Sequence, residues 1–91
     1  MKGKDWSVYI VRCDDDSLYT GIAKDVAARL KQHNTGRGAA YTRSRRPVSL
    51  AHLEPGLSRS QALVREAQIK RLPRTCKQRL AAGGNLPDPR S

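Results

Sequence analysis

Glu66 has the setting hardest to reconcile with an ordinary core. It is the only acid between Arg59 and Arg79. At helical spacing it shares one face with Ala62, Leu63, Ala67, Ile69 and Leu72. A carboxylate placed there must be paired, protonated or bound to a cation. Two readings meet that demand, a buried Glu–Arg ion pair or ligation of a hard divalent ion such as Mg2+ or Mn2+. Arg29 and His33 stand one helical turn apart, beside Val26 and Leu30. Alone they read as an arginine snorkelling from the edge of an apolar stripe and a packed histidine. His52 has no partner visible in the sequence. Asp14, Asp15 and Asp16 lack the glycine and the distant glutamate of a calcium loop and read as a solvated turn. Cys13 and Cys76 are isolated, without a CxxC partner. They suit reduced thiols in a cytoplasmic protein better than a zinc set or a disulfide.

The elements that must position these side chains are short. Trp6 to Arg12 is rich in strand formers, with Trp6, Val8 and Ile10 on one face and Ser7, Tyr9 and Val11 on the other. A polar turn leads to a second strand from Leu18 to Ala23, which predicts an antiparallel hairpin. Gly21 inside it signals a bulge or a close approach. Asp25 is placed to cap a helix over Val26–Asn34 that Gly36 stops. A loop from Thr35 to Pro47 precedes a third strand over Val48–Leu53. Ser58 and Gln61 form a capping-box pattern, opening a helix to about Leu72. A shorter helix covers Arg74–Ala82. The expected fold is α+β, a small, mainly antiparallel three-stranded sheet flanked by helices in the order β-β-α-β-α-α. Residues 1–82 form one domain, with a loose tail over 83–91.

Eighteen Lys and Arg against eight Asp and Glu give a formal net charge of +10 over 91 residues. That excess is larger than solubility requires and points to a polyanion. The loop from Thr35 to Pro47 carries Arg37, Arg43, Arg45 and Arg46 with Tyr41 among them and no acid. This composition suits phosphate clamps around a stacking platform. Lys70 and Arg71 extend the basic surface, as do Arg74, Lys77 and Arg79. Phosphate contacts carry little sequence information, so weak sequence preference and strong salt dependence are expected. No segment is long and apolar enough to span a membrane, and no secretory signal is present.

Ser7-Val8-Tyr9, ten residues before Tyr19-Thr20-Gly21, resembles the paired signature of the GIY-YIG nuclease superfamily. Arg29 falls ten residues after Tyr19, as does the superfamily's catalytic arginine. His33 falls where many members carry His or Tyr, and Glu66 falls on the helix that supplies the metal-binding glutamate. The resemblance covers roughly Trp6 to Leu72. The runs around Tyr41-Thr42-Arg43 and Arg65-Glu66-Ala67-Gln68-Ile69-Lys70 are similar to the stand-alone, single-domain bacterial branch. Ser7 replaces the signature's first glycine and Thr20 an isoleucine, so strand character is kept. An asparagine that often completes the site is matched downstream only by Asn85 in the tail, and its role is not carried over.

The resemblance implies a metal-dependent endonuclease acting on nucleic acid, DNA rather than RNA. Substrate preference would then be structural, or supplied by a protein partner. The implied catalytic residues are Tyr9, Tyr19, Arg29, His33 and Glu66, with Glu66 as the Mg2+ or Mn2+ ligand. Arg29 would offset charge on the phosphate, and Tyr9 would accept the proton of the attacking water. For that role a phenol of ordinary pKa roughly 10 needs cations beside it to favour phenolate. Tyr19 and His33 would position water or phosphate, or His33 would share in the proton transfer. The alternative is a nucleic-acid-binding module that keeps the fold without turnover.

Overall fold

A computed structural model describes residues 4–83. Asn85 and the tail beyond Gly83 lie outside that span. The elements are β1 (Trp6–Arg12), β2 (Leu18–Ala23), α1 (Val26–Asn34), α2 (Ala40–Arg43), β3 (Ser49–Leu57), α3 (Arg59–Lys70) and α4 (Arg74–Ala81). The sheet order is β2-β1-β3, with both pairings antiparallel. β1 is thus central and buried on both faces. Val8 and Ile10 pack with Ala62, Ile69 and Leu80 of α3 and α4, and Trp6 joins them. Tyr9, Val11 and Cys13 pack on the other face with Ala23, Val48, Val26 and Leu30. The alternation read from the sequence therefore sorts β1 between two small cores. The expected α+β architecture is the observed one, with a single extra helical turn, α2, inside what reads as a loop.

Helix boundaries follow their caps. Asp25 accepts from the Ala28 N–H at 3.0 Å. Ser58 and Gln61 form both arms of the capping box, at 3.1 and 2.9 Å. β3 runs four residues beyond the expected end at Leu53, through Pro55 and Gly56. It is an edge strand, where proline is tolerated. Its register against β1 slips between Trp6 and Val8, a bulge that absorbs the extra residue.

Two expectations need correction. The apolar face of α3 is narrower than its sequence suggests. Ala62 and Ile69 are buried, whereas Leu63 is 41% exposed and Ala67 is on the surface. α3 meets the sheet along a thin stripe, and half-buried Glu66 flanks it. His52 also has a partner. Its Nε2 lies 2.8 Å from Glu54, two residues along β3, and Glu54 accepts a two-pronged bond from Arg65 at 2.7 and 3.0 Å. The Arg65 guanidinium, assisted by His52, holds the Glu54 carboxyl below its usual range despite partial burial. A Glu–Arg pair is thus present on α3, but it ties Arg65 to the sheet and leaves the adjacent Glu66 outside it. Cys13 is buried and Cys76 half-buried, and both are free thiols.

Candidate active site

Tyr9 lies in the middle of the central strand, directly opposite Gly21 of β2. A Cβ at position 21 would lie 2.6 Å from the Tyr9 hydroxyl and 2.8 Å from Cζ. Glycine is required there for space, because the Tyr9 ring lies across it. Gly21→Ala is accordingly expected to destabilise the fold. Tyr9 is 1% exposed and hydrogen-bonded to fully buried His33, so the ring has nowhere to retreat. Overpacking of this kind costs about 1–3 kcal/mol, which for a domain of this size lowers Tm by roughly 5 °C or more. A thermal melt monitored by circular dichroism checks it; an unchanged Tm would mean the ring is free to shift.

The Tyr9 hydroxyl is 2.9 Å from His33 Nε2, and His33 Nδ1 is 2.8 Å from the Thr42 hydroxyl. Gly38 packs against the same imidazole: a Cβ there would lie 2.8 Å from His33 Cγ. Tyr19 meets the His33 ring edge-on at 5.4 Å and stacks on Tyr41 at 5.9 Å. The Arg45 guanidinium sits over Tyr41 at 4.1 Å. One continuous aromatic row therefore leads from buried Tyr9 through His33 and Tyr19 to Tyr41, which is 40% exposed.

Charge surrounds this row asymmetrically. Burial pushes the Tyr9 phenol up. The Arg29 guanidinium opposes that push, while Tyr19 and the Glu66 carboxylate reinforce it. Arg29 and Glu66 are thus both near enough to act on the phenol electrostatically. Among the protein's own groups burial outweighs Arg29, so the phenol of the metal-free protein holds its proton. His33 is pushed below its ordinary 6.5, first by burial and then by Arg29, so it is neutral at pH 7. Arg29 itself is half-buried and donates to Gln32 at 2.8 Å.

Glu66 pairs with Lys70 one turn on, at 3.2 Å, and its side chain is 20% exposed. Among the described residues, no group of three or more His, Cys, Asp and Glu is placed to hold a metal. A closed zinc-type site is therefore not what Glu66 offers. A single carboxylate, 20% exposed and paired with Lys70, would suit an ion that keeps most of its water, as Mg2+ does. On that donor chemistry the residues fit Mg2+ or Mn2+.

The basic residues divide by engagement. Arg45 bonds Asp15 and the Tyr41 carbonyl, at 3.1 and 2.7 Å. Arg46 donates to the Arg43 and Asn34 carbonyls. Lys70 holds Glu66. Arg37, Arg43 and Arg71 are exposed, with no side-chain partner among the described residues. Three contributors were not legible as such in the sequence. Thr42 and Gly38 contact His33. Asn34 bonds the Val48 backbone through both side-chain atoms, at 2.7 and 3.0 Å, tying α1 to the start of β3.

The chain is similar to known proteins in sequence and in fold. A family model described as the GIY-YIG catalytic domain matches residues 5–80. A UPF0213 protein of Haloquadratum walsbyi is 54% identical over 77 residues, covering 85% of this chain and 86% of its own. A UPF0213 protein of Staphylococcus aureus is 56% identical over 73 residues, covering 80% and 89%. The solution structure of a UPF0213 protein from Bacillus halodurans superposes with a TM-score of 0.55 at 39% identity, covering 90% of this chain and 87% of that one. The chain belongs to the GIY-YIG nuclease superfamily.

Proposed function

We propose that this protein is a metal-dependent endonuclease that hydrolyses phosphodiester bonds in nucleic acid, chiefly DNA, with weak sequence preference. The supporting observation is the buried Tyr9–His33 pair with Arg29 and Glu66 acting on the same phenol. Glu66 would hold the divalent ion, which would supply positive charge to offset that on the phosphate. Arg29 supplies a second cation with fixed donor geometry for the scissile phosphate. Tyr9 takes the proton of the attacking water as it gives its own to His33, so free phenolate is never needed. Tyr9 is covered in this structure. Seating a phosphate therefore requires the groups over it to turn toward the substrate, among them Arg29, which donates to Gln32 at 2.8 Å and acts on the Tyr9 hydroxyl. Apo sites commonly tighten in this way on binding. Arg37 and Arg43 grip the backbone.

A pH profile separates this mechanism from one that uses phenolate. Tyr9, Tyr19, Arg29 and Thr42 face His33, and Glu66 acts on Tyr9 from α3. Protonated His33 has no free Nε2 lone pair, so cleavage falls as pH drops through its pKa, which lies below 6.5. Above that, the rate is expected to stay flat until the Tyr9 phenol itself ionises, a step that burial pushes up. A rate that instead climbs about tenfold per pH unit from 7 to 10 would identify phenolate as the working base. The activity itself is tested with labelled duplex, single-stranded, flap and branched DNA and matching RNA, in Mg2+, Mn2+ or EDTA. Metal-dependent cutting of DNA is the expected result; cutting confined to RNA would reverse the substrate assignment.

A further inference from the structure

We infer that Thr42 fixes the tautomer of His33, and thereby sets the direction in which the Tyr9 proton moves. A threonine hydroxyl has one proton and two lone pairs. Thr42 Oγ1 donates to the Ala39 carbonyl at 3.0 Å, the back-bond of a helical threonine. With its proton directed at Ala39, whose carbonyl also accepts the Thr42 and Arg43 N–H groups, Thr42 accepts toward His33. Nδ1 of His33, 2.8 Å away, must therefore carry the ring proton. A neutral imidazole has only one, which leaves Nε2 bare and facing the Tyr9 hydroxyl.

The other end of the chain fits the tautomer that Thr42 sets. Tyr9 is 1% exposed, and the neighbouring Arg29 is a donor only. His33 Nε2 is the one side-chain acceptor hydrogen-bonded to the phenol among the described residues. If Thr42 donated to Nδ1 instead, Nε2 would carry the proton and the phenol would lose its acceptor in a buried site. The sequence Tyr9 O–H to Nε2, Nδ1–H to Thr42, and Thr42 O–H to Ala39 satisfies every group.

This inference rests on the nuclease reading only for its effect on rate. In the reaction, a water O–H bond breaks and its proton goes to Tyr9 Oη as the Tyr9 proton passes to Nε2. The water oxygen bonds phosphorus, the bond to the leaving oxygen breaks, and that oxygen takes a proton from solvent. His33 is left as imidazolium, with its Nδ1–H still held by Thr42, and returns the extra proton through Tyr9. Thr42 is a positioning residue and touches no reacting atom.

The test is long-range 1H–15N NMR of the His33 ring at pH 7.5 in the purified protein without substrate. The expected result is a protonated Nδ1 and an unprotonated Nε2 in the wild type and in Thr42→Ser. In Thr42→Val, which keeps shape and loses the hydroxyl, the proton should move at least partly to Nε2. Cleavage by Thr42→Val should fall on the order of tenfold to a hundredfold, as for partners that orient metal-bound histidines, while Thr42→Ser keeps it. A wild-type ring protonated on Nε2 would overturn the inference, and this reading requires no variant to fold. An unchanged tautomer in folded Thr42→Val would overturn it as well. A correct tautomer in a protein that cuts nothing would count against the nuclease reading and leave the role of Thr42 standing.

Discussion

Glu66→Ala is expected to abolish metal-dependent cleavage with little change in stability or in nucleic-acid affinity. Among the described residues its carboxylate is bonded only to Lys70, an i,i+4 pair whose lysine is 53% exposed. Such a pair contributes about 0.5 kcal/mol at most, so Tm should move by no more than roughly 4 °C. α3 keeps Ala62, Ile69 and the Arg65–Glu54 clamp. The chemistry, by contrast, would lose the carboxylate proposed to hold the metal. Removing one group that offsets transition-state charge in a preorganised site costs on the order of 10²- to 10³-fold, and removing the ion's anchor should cost at least that. Single-turnover cleavage in saturating Mg2+, set beside a thermal melt, measures both. A folded Glu66→Ala protein that retains wild-type cleavage would remove Glu66 from the site.

Tyr9→Phe is expected to differ in kind, losing both activity and stability. Without the phenol proton, His33 Nε2 becomes a buried acceptor with no donor, since His33 is fully buried. An orphaned buried polar atom costs about 1–3 kcal/mol, enough to lower Tm by several degrees while leaving a folded protein. The rate should fall roughly 10²- to 10⁴-fold, the usual worth of a positioned acid–base group. The two variants thus separate by their melts while agreeing in their lost activity. Wild-type stability in Tyr9→Phe would mean that the Tyr9–His33 bond is not made in solution.

How much of this was legible in the sequence depends on whether the signal is local. The hairpin, the Asp25 cap and the Ser58–Gln61 capping box are written within a few residues and were readable as such. The β1 alternation was equally plain, and it already placed Tyr9 on the face opposite Val8 and Ile10. The short helix α2 carries no local signal: its four residues lack a side-chain cap. It is held by the Thr42–His33 bond and by Arg45 and Arg46 bonding the Tyr41 and Arg43 carbonyls. Thr42 was hidden for the same reason, lying among arginines that drew the reading toward phosphate. The partnership of His52, Glu54 and Arg65 needs β3 extended past Leu53 through a proline and a bulge, which strand propensity argues against. Glu66 stood out as a carboxylate inside an apolar face, but it flanks a thinner stripe, because the width of that face depended on how α3 crosses the sheet.

The most direct test of the central claim, that Tyr9, Arg29, His33 and Glu66 form one hydrolytic site, is a paired measurement. Binding and single-turnover cleavage of the same labelled DNA would be followed for wild type, Tyr9→Phe and Glu66→Ala, in Mg2+ and in EDTA. The account predicts that all three proteins bind comparably and that only the wild type cuts, and only with metal. Binding without cleavage by the wild type under every metal condition, or cleavage that survives either substitution, would contradict it.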